Sequence, residues 1–246
     1  MHESELRNRE ALLLAQLEES RGREKILLQE LEEINNWRRQ ADMRLENIEK
    51  TLQAPKPPPK DIKFGGYDWR VLEMQDTKAL LLSDKVLERR WYHDCFANVT
   101  WENCDLRRYL NGPFFDSFTA EEKKLIIPAQ ITNNNNPWFK TKGGKTTTDR
   151  IFLLSIGEVI KFFGDSGQLR CKNLKTEYYY IDDEYNSARI AVDIDNEVSW
   201  WWLRSPGYDS HDAARVGNIG RIRVRGLAVF LSGIGGGVRP ALWLNL

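Results

Sequence analysis

Apolar positions between residues 3 and 52 recur at alternating steps of three and four. With Glu3, Glu10, Leu17, Glu24, Leu31, Arg38, Leu45 and Leu52 at position a, position d holds Leu6, Leu13, Ser20, Leu27, Ile34, Ala41 and Ile48, so six of seven d positions but four of eight a positions are apolar. Seven heptads without proline predict a coiled-coil helix over residues 1–53, about 75 Å long and too long to stand alone unless it pairs. A hairpin folding at Gly22, or a helix lying on the rest of the chain, would satisfy the same pattern. Leu at a with Ile at d favours a trimer or tetramer over a dimer, although Glu24 and Arg38 at a weaken that preference. Residues 54–60, "APKPPPK", cannot continue a helix and predict an extended linker of about 20 Å.

From Asp61 the period changes. "IKFGGYDWRVLEM" and "KALLLSDKVLERRWY" read as a strand, a hairpin and a third strand around Gly65-Gly66 and Asp76-Thr77. "VTWENCDLRRYLNGPF" reads as a helix with Thr100 as N-cap and Asn111-Gly112-Pro113 as its stop. "FTAEEKKLII" carries Thr119 and Glu122 at capping-box spacing and ends at Pro128. A long polar loop, "TNNNNPWFKTKGGKTTTD", precedes the buried strand "RIFLLS" and a helix capped by Ser155. Residues 177–196 give no clear period. "SWWWLRSPG", "RIRVRGLAVFLS" and "GVRPALWLNL" read as strands divided by glycine turns. A few early helices and a strand-rich second half predict an α+β domain over residues 61–246.

Composition narrows the function. Thirty-six basic and thirty-six acidic residues cancel, so the whole chain offers no field to collect nucleic acid. Cys95, Cys104 and Cys171 fit reduced thiols better than a disulfide framework, with a Cys95–Cys104 bridge as the alternative. The charged start "MHESELRNRE" has no signal-peptide core, and no eighteen apolar residues run together to span a membrane, which points to a cytoplasmic or particle-associated protein.

Catalytic signatures are sparse. Neither "GxGxxG" nor a Walker "GxxxxGK[ST]" is present, and "GIGGG" at 233–237 is followed by Val238-Arg239-Pro240 rather than a helix, so it reads as a flexible loop. Zinc would need Cys95, Cys104 and a distant partner. His211 is the one candidate for a Ser/His/Asp arrangement, and "GxSxG" is absent. Asp182-Asp183-Glu184 reads as a solvated turn or, alternatively, a calcium loop. No cofactor, metal or enzymatic activity is expected.

The segment from Gly207 to Gly237 is different in kind. Its 31 residues include no Lys, Glu, Gln, Met or Trp, types that fill 54 of the other 215 positions. Roughly eight would occur at the chain's own usage, so composition here is constrained. The segment carries Arg215, Arg221, Arg223 and Arg225 without a lysine, and its arginines alternate with Ile222 and Val224 as a half-buried strand requires.

"WWLRSPG" at 201–207 and "GVRPALWLNL" at 237–246, with "FGGYDWRVL", "LRRYLNGPF" and "NPWFKTKGGKTTTDRIFLLS" upstream, resemble a widespread bacterial domain akin to the variable proteins of diversity-generating retroelements. The resemblance covers residues 61–246 and implies a C-type-lectin-like fold. It also implies error-prone reverse transcription that replaces adenines in AAC or AAT codons, and such codons cannot yield the five missing types. The implied variable, ligand-binding surface comprises Tyr208, Asp209, His211, Asp212, Arg215, Asn218, Ile219, Arg221, Arg223, Arg225, Leu227, Phe230 and Leu231, with Asn218 as an unmutated outcome. Trp200, Trp201, Trp202 and Trp243 would form a floor beneath it. The ligand would be a variable macromolecule, a protein, and the stalk would present several faces at once.

Calcium-dependent sugar binding is not implied, because no Glu-Pro-Asn or Trp-Asn-Asp triplet occurs. The related formylglycine-generating oxidases use C-terminal cysteines, whereas the last cysteine here is Cys171. The alternative function is structural: a phage or cell-surface fibre tip docking a fixed partner through the same surface.

Overall fold

A computed structural model describes residues 61–170, 179–230 and 236–246, together with Arg38. The chain divides into two units, Met1–Pro57 and Pro58–Leu246. Apart from Arg38, which is helical, the coiled-coil helix expected over residues 1–53 and the linker at 54–60 lie outside the described residues. Among the described residues no helix is long and apolar enough to cross a membrane.

The second unit is α+β and mostly strand. In chain order the strands are β1 Asp61–Phe64, β2 Tyr67–Gln75, β3 Lys78–Ser83, β4 Glu88–Arg90, β5 Ile126–Ile127, β6 Ala129–Ile131, β7 Thr147–Asp149 and β8 Ile151–Phe152. They continue as β9 Tyr180–Ile181, β10 Ala191–Val192, β11 Val198–Ser199, β12 Trp201–Pro206, β13 Asp212–Val216, β14 Ile222–Ala228, β15 Gly236–Val238 and β16 Ala241–Asn245. One sheet runs β1-β2-β3-β16-β5, with β8 also paired to β16; the second runs β4-β15-β12-β13-β14-β9.

The expected opening meander is present. Gly65 and Gly66 take positive φ to turn β1 into β2, and Asp76, at φ 49°, turns β2 into β3. "KALLLS" is buried almost throughout because β3 lies inside its sheet between β2 and β16. Four helices follow: α1 Asp105–Tyr109, α2 Ala120–Leu125, α3 Ile156–Phe163 and α4 Asn186–Arg189. Thr100 opens a single 3₁₀ turn at Trp101–Asn103, its N–H donating to Asn103 Oδ1 at 2.8 Å, and Cys104 caps α1. The stop expected at Asn111-Gly112-Pro113 does not stop the chain: a wider turn, Leu110–Phe114, carries the helical path through Pro113. That wider pitch relieves the clash a proline makes in an α-helix, and Asn111 is held by donating to Ile151 O at 2.8 Å. Thr119 and Ser155 cap α2 and α3 as their spacing predicts, each with a reciprocal glutamate.

The first six residues of the motif "WWLRSPG" form β12, buried along its whole length. Its Arg204 reaches α3, where Nη2 donates to Glu158 Oε1 at 2.9 Å and Nη1 donates to Glu158 and to Leu153 O at 2.7 Å. Ser205 Oγ accepts from the N–H of Ile156 at 3.0 Å, so helix start and strand are joined twice. Arg239 of "GVRPALWLNL" is also buried; it donates to Ser83 O at 2.9 Å and stacks 5.0 Å from Trp201. Asp182-Asp183-Glu184 is a turn, as expected from sequence, with Glu184 exposed and Asp182 partly exposed, but its middle residue is not solvated. Asp183 is paired with Arg189 at 2.8 Å with both side chains buried, and Arg189 also donates to Gly164 O at the end of α3.

Burial alone would raise the Glu158 carboxyl, but Arg204 and the Ser155 cap outweigh it and hold it below the usual glutamate range. A depressed carboxyl stabilises the fold above its unfolded-state value and loses that contribution as pH falls through the lowered one, so this pair weakens below about pH 4. Glu158→Gln leaves Arg204 buried without its counter-ion and is expected to cost about 3 kcal/mol in urea unfolding at pH 7, and less at pH 3.

Candidate functional site

Cross-strand register builds one row of side chains over the second sheet. Trp202 on β12 stands opposite Arg215 on β13, Arg215 opposite Arg223 on β14, and Arg223 opposite Tyr180 on β9. Direct partners share a face. Ala214, Val216, Ile222 and Val224, at the alternate positions, are all 0% exposed. The alternation seen in "RIRVRG" is therefore real, with apolar side chains inward and arginines outward.

Every one of these arginines lies over an aromatic ring. Arg215 sits 4.7 Å from the centre of Trp200, Arg221 and Arg223 at 4.7 and 4.8 Å from Tyr180, and Arg225 at 5.2 Å from Tyr208. Among the described residues only Arg221 has a carboxylate partner, Asp182 at 2.6 Å, which holds Asp182 below the usual range and raises Arg221. Burial, then the neighbouring Arg223, pushes Arg215 down from the usual arginine value. Asn218 and Ile219 stand exposed in the turn between β13 and β14, and with Trp200, Arg215, Gly217 and Arg223 they line a concavity of about 310 Å³.

The remaining expected residues gather at the other end of these strands, about 17 Å away for five residues of strand. Tyr208 packs edge-on against Phe139 at 5.0 Å, His211 stacks on Phe96 at 4.4 Å, and Phe230 meets Trp91 at 5.0 Å. Asp209 accepts from the His211 N–H at 2.8 Å, and Leu227 is half-buried. Leu231 lies outside the described residues. The expected surface is thus two clusters joined by β13 and β14, each completed by aromatics not expected on it: Trp200, expected in the floor, and Tyr180 at one end, and Trp91, Phe96 and Phe139 at the other.

The floor also differs from expectation. Trp201 lies beneath the sheet, whereas Trp202 shares the face of Arg215 and Trp200 but is covered; both are buried, and their indole N–H groups donate to Arg189 O and Arg90 O. Trp200 is only partly buried and belongs to the outer face. Trp243 lies on β16 in the other sheet, under the Lys78 ammonium at 5.1 Å, because "ALWLN" pairs with β3 rather than with the arginine strands. Asn136 takes the unassigned structural role. Buried within the polar loop, it donates to Pro206 O at 2.8 Å and Val224 O at 2.9 Å and accepts from Trp138 and Phe139, pinning the loop across β12 and β14. The four consecutive asparagines were the visible signal, too repetitive to single out one.

Cys95 is exposed and Cys104 buried, and both are free, so they form no bridge. Among the described residues, ligand atoms of His93, Asp94 and Cys95 lie within 4.8 Å of one another, with His93 Nδ1 2.7 Å from Asp105. Of the three, Asp94 lines a cavity of about 430 Å³ together with Arg89, Arg90, Trp91, Asp105, Leu106 and Tyr109.

A family described as "Domain of unknown function (DUF6273)" matches residues 76–246. No curated protein and no solved structure matches the chain.

Half-burial, then the neighbouring Asp209, pushes the Asp212 carboxyl up to about 6. A raised carboxyl favours the fold while protonated, and that contribution is lost as pH rises through 6. Asp212→Asn is therefore expected to stabilise the protein by about 1 kcal/mol at pH 7.5, allowing for solvent screening, and to have no effect at about pH 3, below the unfolded-state value of a carboxyl. Urea unfolding at the two pH values measures the difference.

Proposed function

From a chain that belongs to the DUF6273 family, whose description names no activity, we propose a non-enzymatic binding protein whose ligand surface is the outer face of β13 and β14 with their turns. One observation carries this reading. Arg215, Arg223 and Arg225 make no direct ion pair among the described residues, Asp182 and Asp212 acting on Arg223 and Arg225 only through space, yet they are displayed on strands whose opposite side is fully buried. Side chains that the fold does not need for pairing are available to something else.

The missing residue types within 207–237 support a further step, that this face is diversified by a retroelement acting on a C-type-lectin-like scaffold. The fold's contribution is a sharp division within that segment. Ala213, Ala214, Val216, Ile222, Val224 and Val229 are buried. Gly226, at φ 82°, could not take a Cβ without meeting the Ala213 carbonyl, and Gly220, at φ 79°, would meet that of Asn186. A diversified surface must leave these positions fixed.

Comparison of gene copies, or of a near-identical template beside the gene, tests the reading: differences are expected only at outward positions of 208–236. Evenly scattered differences would favour the alternative, a structural tip docking one fixed partner. A protein-level counterpart uses two variants. Replacing Arg221, Arg223 and Arg225 by serine is expected to leave Tm within a few degrees while changing what is bound, whereas Gly226→Ala should cost about 2 kcal/mol. A large loss in the serine variant would make the arginines structural.

The heptads of residues 3–52 support self-association as a trimer or tetramer, which would multiply a weak single face by avidity. Sedimentation of the full chain is expected to show an oligomer that becomes a monomer when residues 1–53 are removed. A monomeric full chain refutes the stalk.

A further inference from the structure

We infer that Arg215 and Arg223 form a seat for one carboxylate of an acidic protein segment whose neighbouring residue is apolar, an inference that rests on reading this face as a ligand surface. The two arginines are direct cross-strand partners, so their Cα atoms are about 5 Å apart and both guanidiniums can reach a single acceptor. Like charges in that position repel, and among the described residues neither makes a direct ion pair: Asp182 pairs with their neighbour Arg221 and only adds to the field at Arg223. The Nε atoms of both are buried without a hydrogen-bond partner. Those Nε groups are closed to solvent, so an external acceptor would be met by the outer Nη groups of the two guanidiniums.

Geometry limits what that acceptor is. Trp200 covers the face of one guanidinium and Tyr180 that of the other, which leaves the planar donor edges for a bidentate oxyanion. The concavity beside them is walled by Trp200 and by Ile219, itself 53% exposed, and these suit an aliphatic side chain next to the anion. A carboxylate is favoured over a phosphate chain because Asp182 flanks the pair through Arg221, Asp209 and Asp212 lie at the far end of the strands, and the protein as a whole is neutral. A nucleic acid laid along these strands would meet those carboxylates, while a single side-chain carboxylate would not.

Saturation-transfer NMR on the full chain tests the seat, with the blocked peptide Gly-Ile-Glu-Ile-Gly as probe, its Gln counterpart as control and inorganic phosphate as competitor. The Glu peptide is expected to bind with a Kd of roughly 1–10 mM. The Gln peptide should bind at least tenfold more weakly, Arg215→Gln and Arg223→Gln should each lose at least tenfold, and Lys124→Gln on α2 should change nothing. Arg223→Lys, which keeps the charge and loses the fork, should lose severalfold and serves if a glutamine variant unfolds. Equal binding of the Gln peptide, retention of binding in both glutamine variants, or displacement by phosphate below the peptide's own Kd overturns the inference. None of these outcomes touches the pattern of variation between gene copies, so the seat can fail while the diversified surface stands.

Discussion

One buried cation organises the face on which this protein's function is proposed to rest. Arg204 stands inside β12, and its guanidinium holds the first turn of α3 through Glu158 and the preceding chain through Leu153 O. Glu158 also caps its own helix, accepting from the Ser155 N–H at 2.7 Å, so one carboxylate fixes both the start of α3 and its attachment to the sheet. A pair so placed is not a net source of stability relative to an apolar substitute, but losing either member strands the other charge in the interior. What it contributes is position: sliding or tilting β12 would unmake the guanidinium's hydrogen bonds to Glu158, Leu153 O and Thr132 O.

Position then passes outward strand by strand. β13 hangs on β12, β14 on β13, and Asn136 bonds to the carbonyls of Pro206 and Val224, closing the span between β12 and β14 with a loop. With backbone geometry set from beneath, the outer arginines other than Arg221, which pairs with Asp182, make no ion pair among the described residues. Their stacking on Trp200, Tyr180 and Tyr208 keeps the arginines extended without neutralising them, which reduces the rotamer entropy a partner would otherwise have to overcome.

Features carried by local physics were legible in the sequence. Thr119 and Ser155 announced their helices because a capping box is complete within four residues, and the arginine strand announced itself because side-chain alternation has a period of two. Features that depend on distant partners were not. Arg204 finds Glu158 46 residues away, Asn136 finds Val224 88 residues away, and Arg221 takes Asp182 from a stretch without discernible period. Trp243 was placed under the wrong sheet for the same reason, since strand order is a long-range property. Trp91 and Phe96 went unselected because an exposed aromatic in a loop has no period to mark it.

The division of labour between floor and face is tested most directly by saturation mutagenesis of residues 207–230 in the full chain, scored only for folding by resistance to protease. The expected result is a position-by-position split: broad tolerance at Tyr208, His211, Asn218, Ile219, Arg223 and Arg225, and intolerance at Ala213, Ala214, Val216, Ile222, Val224 and Gly226. Tolerance spread without regard to burial, or arginine positions as restricted as Ile222 and Val224, would contradict a rigid scaffold carrying a replaceable surface.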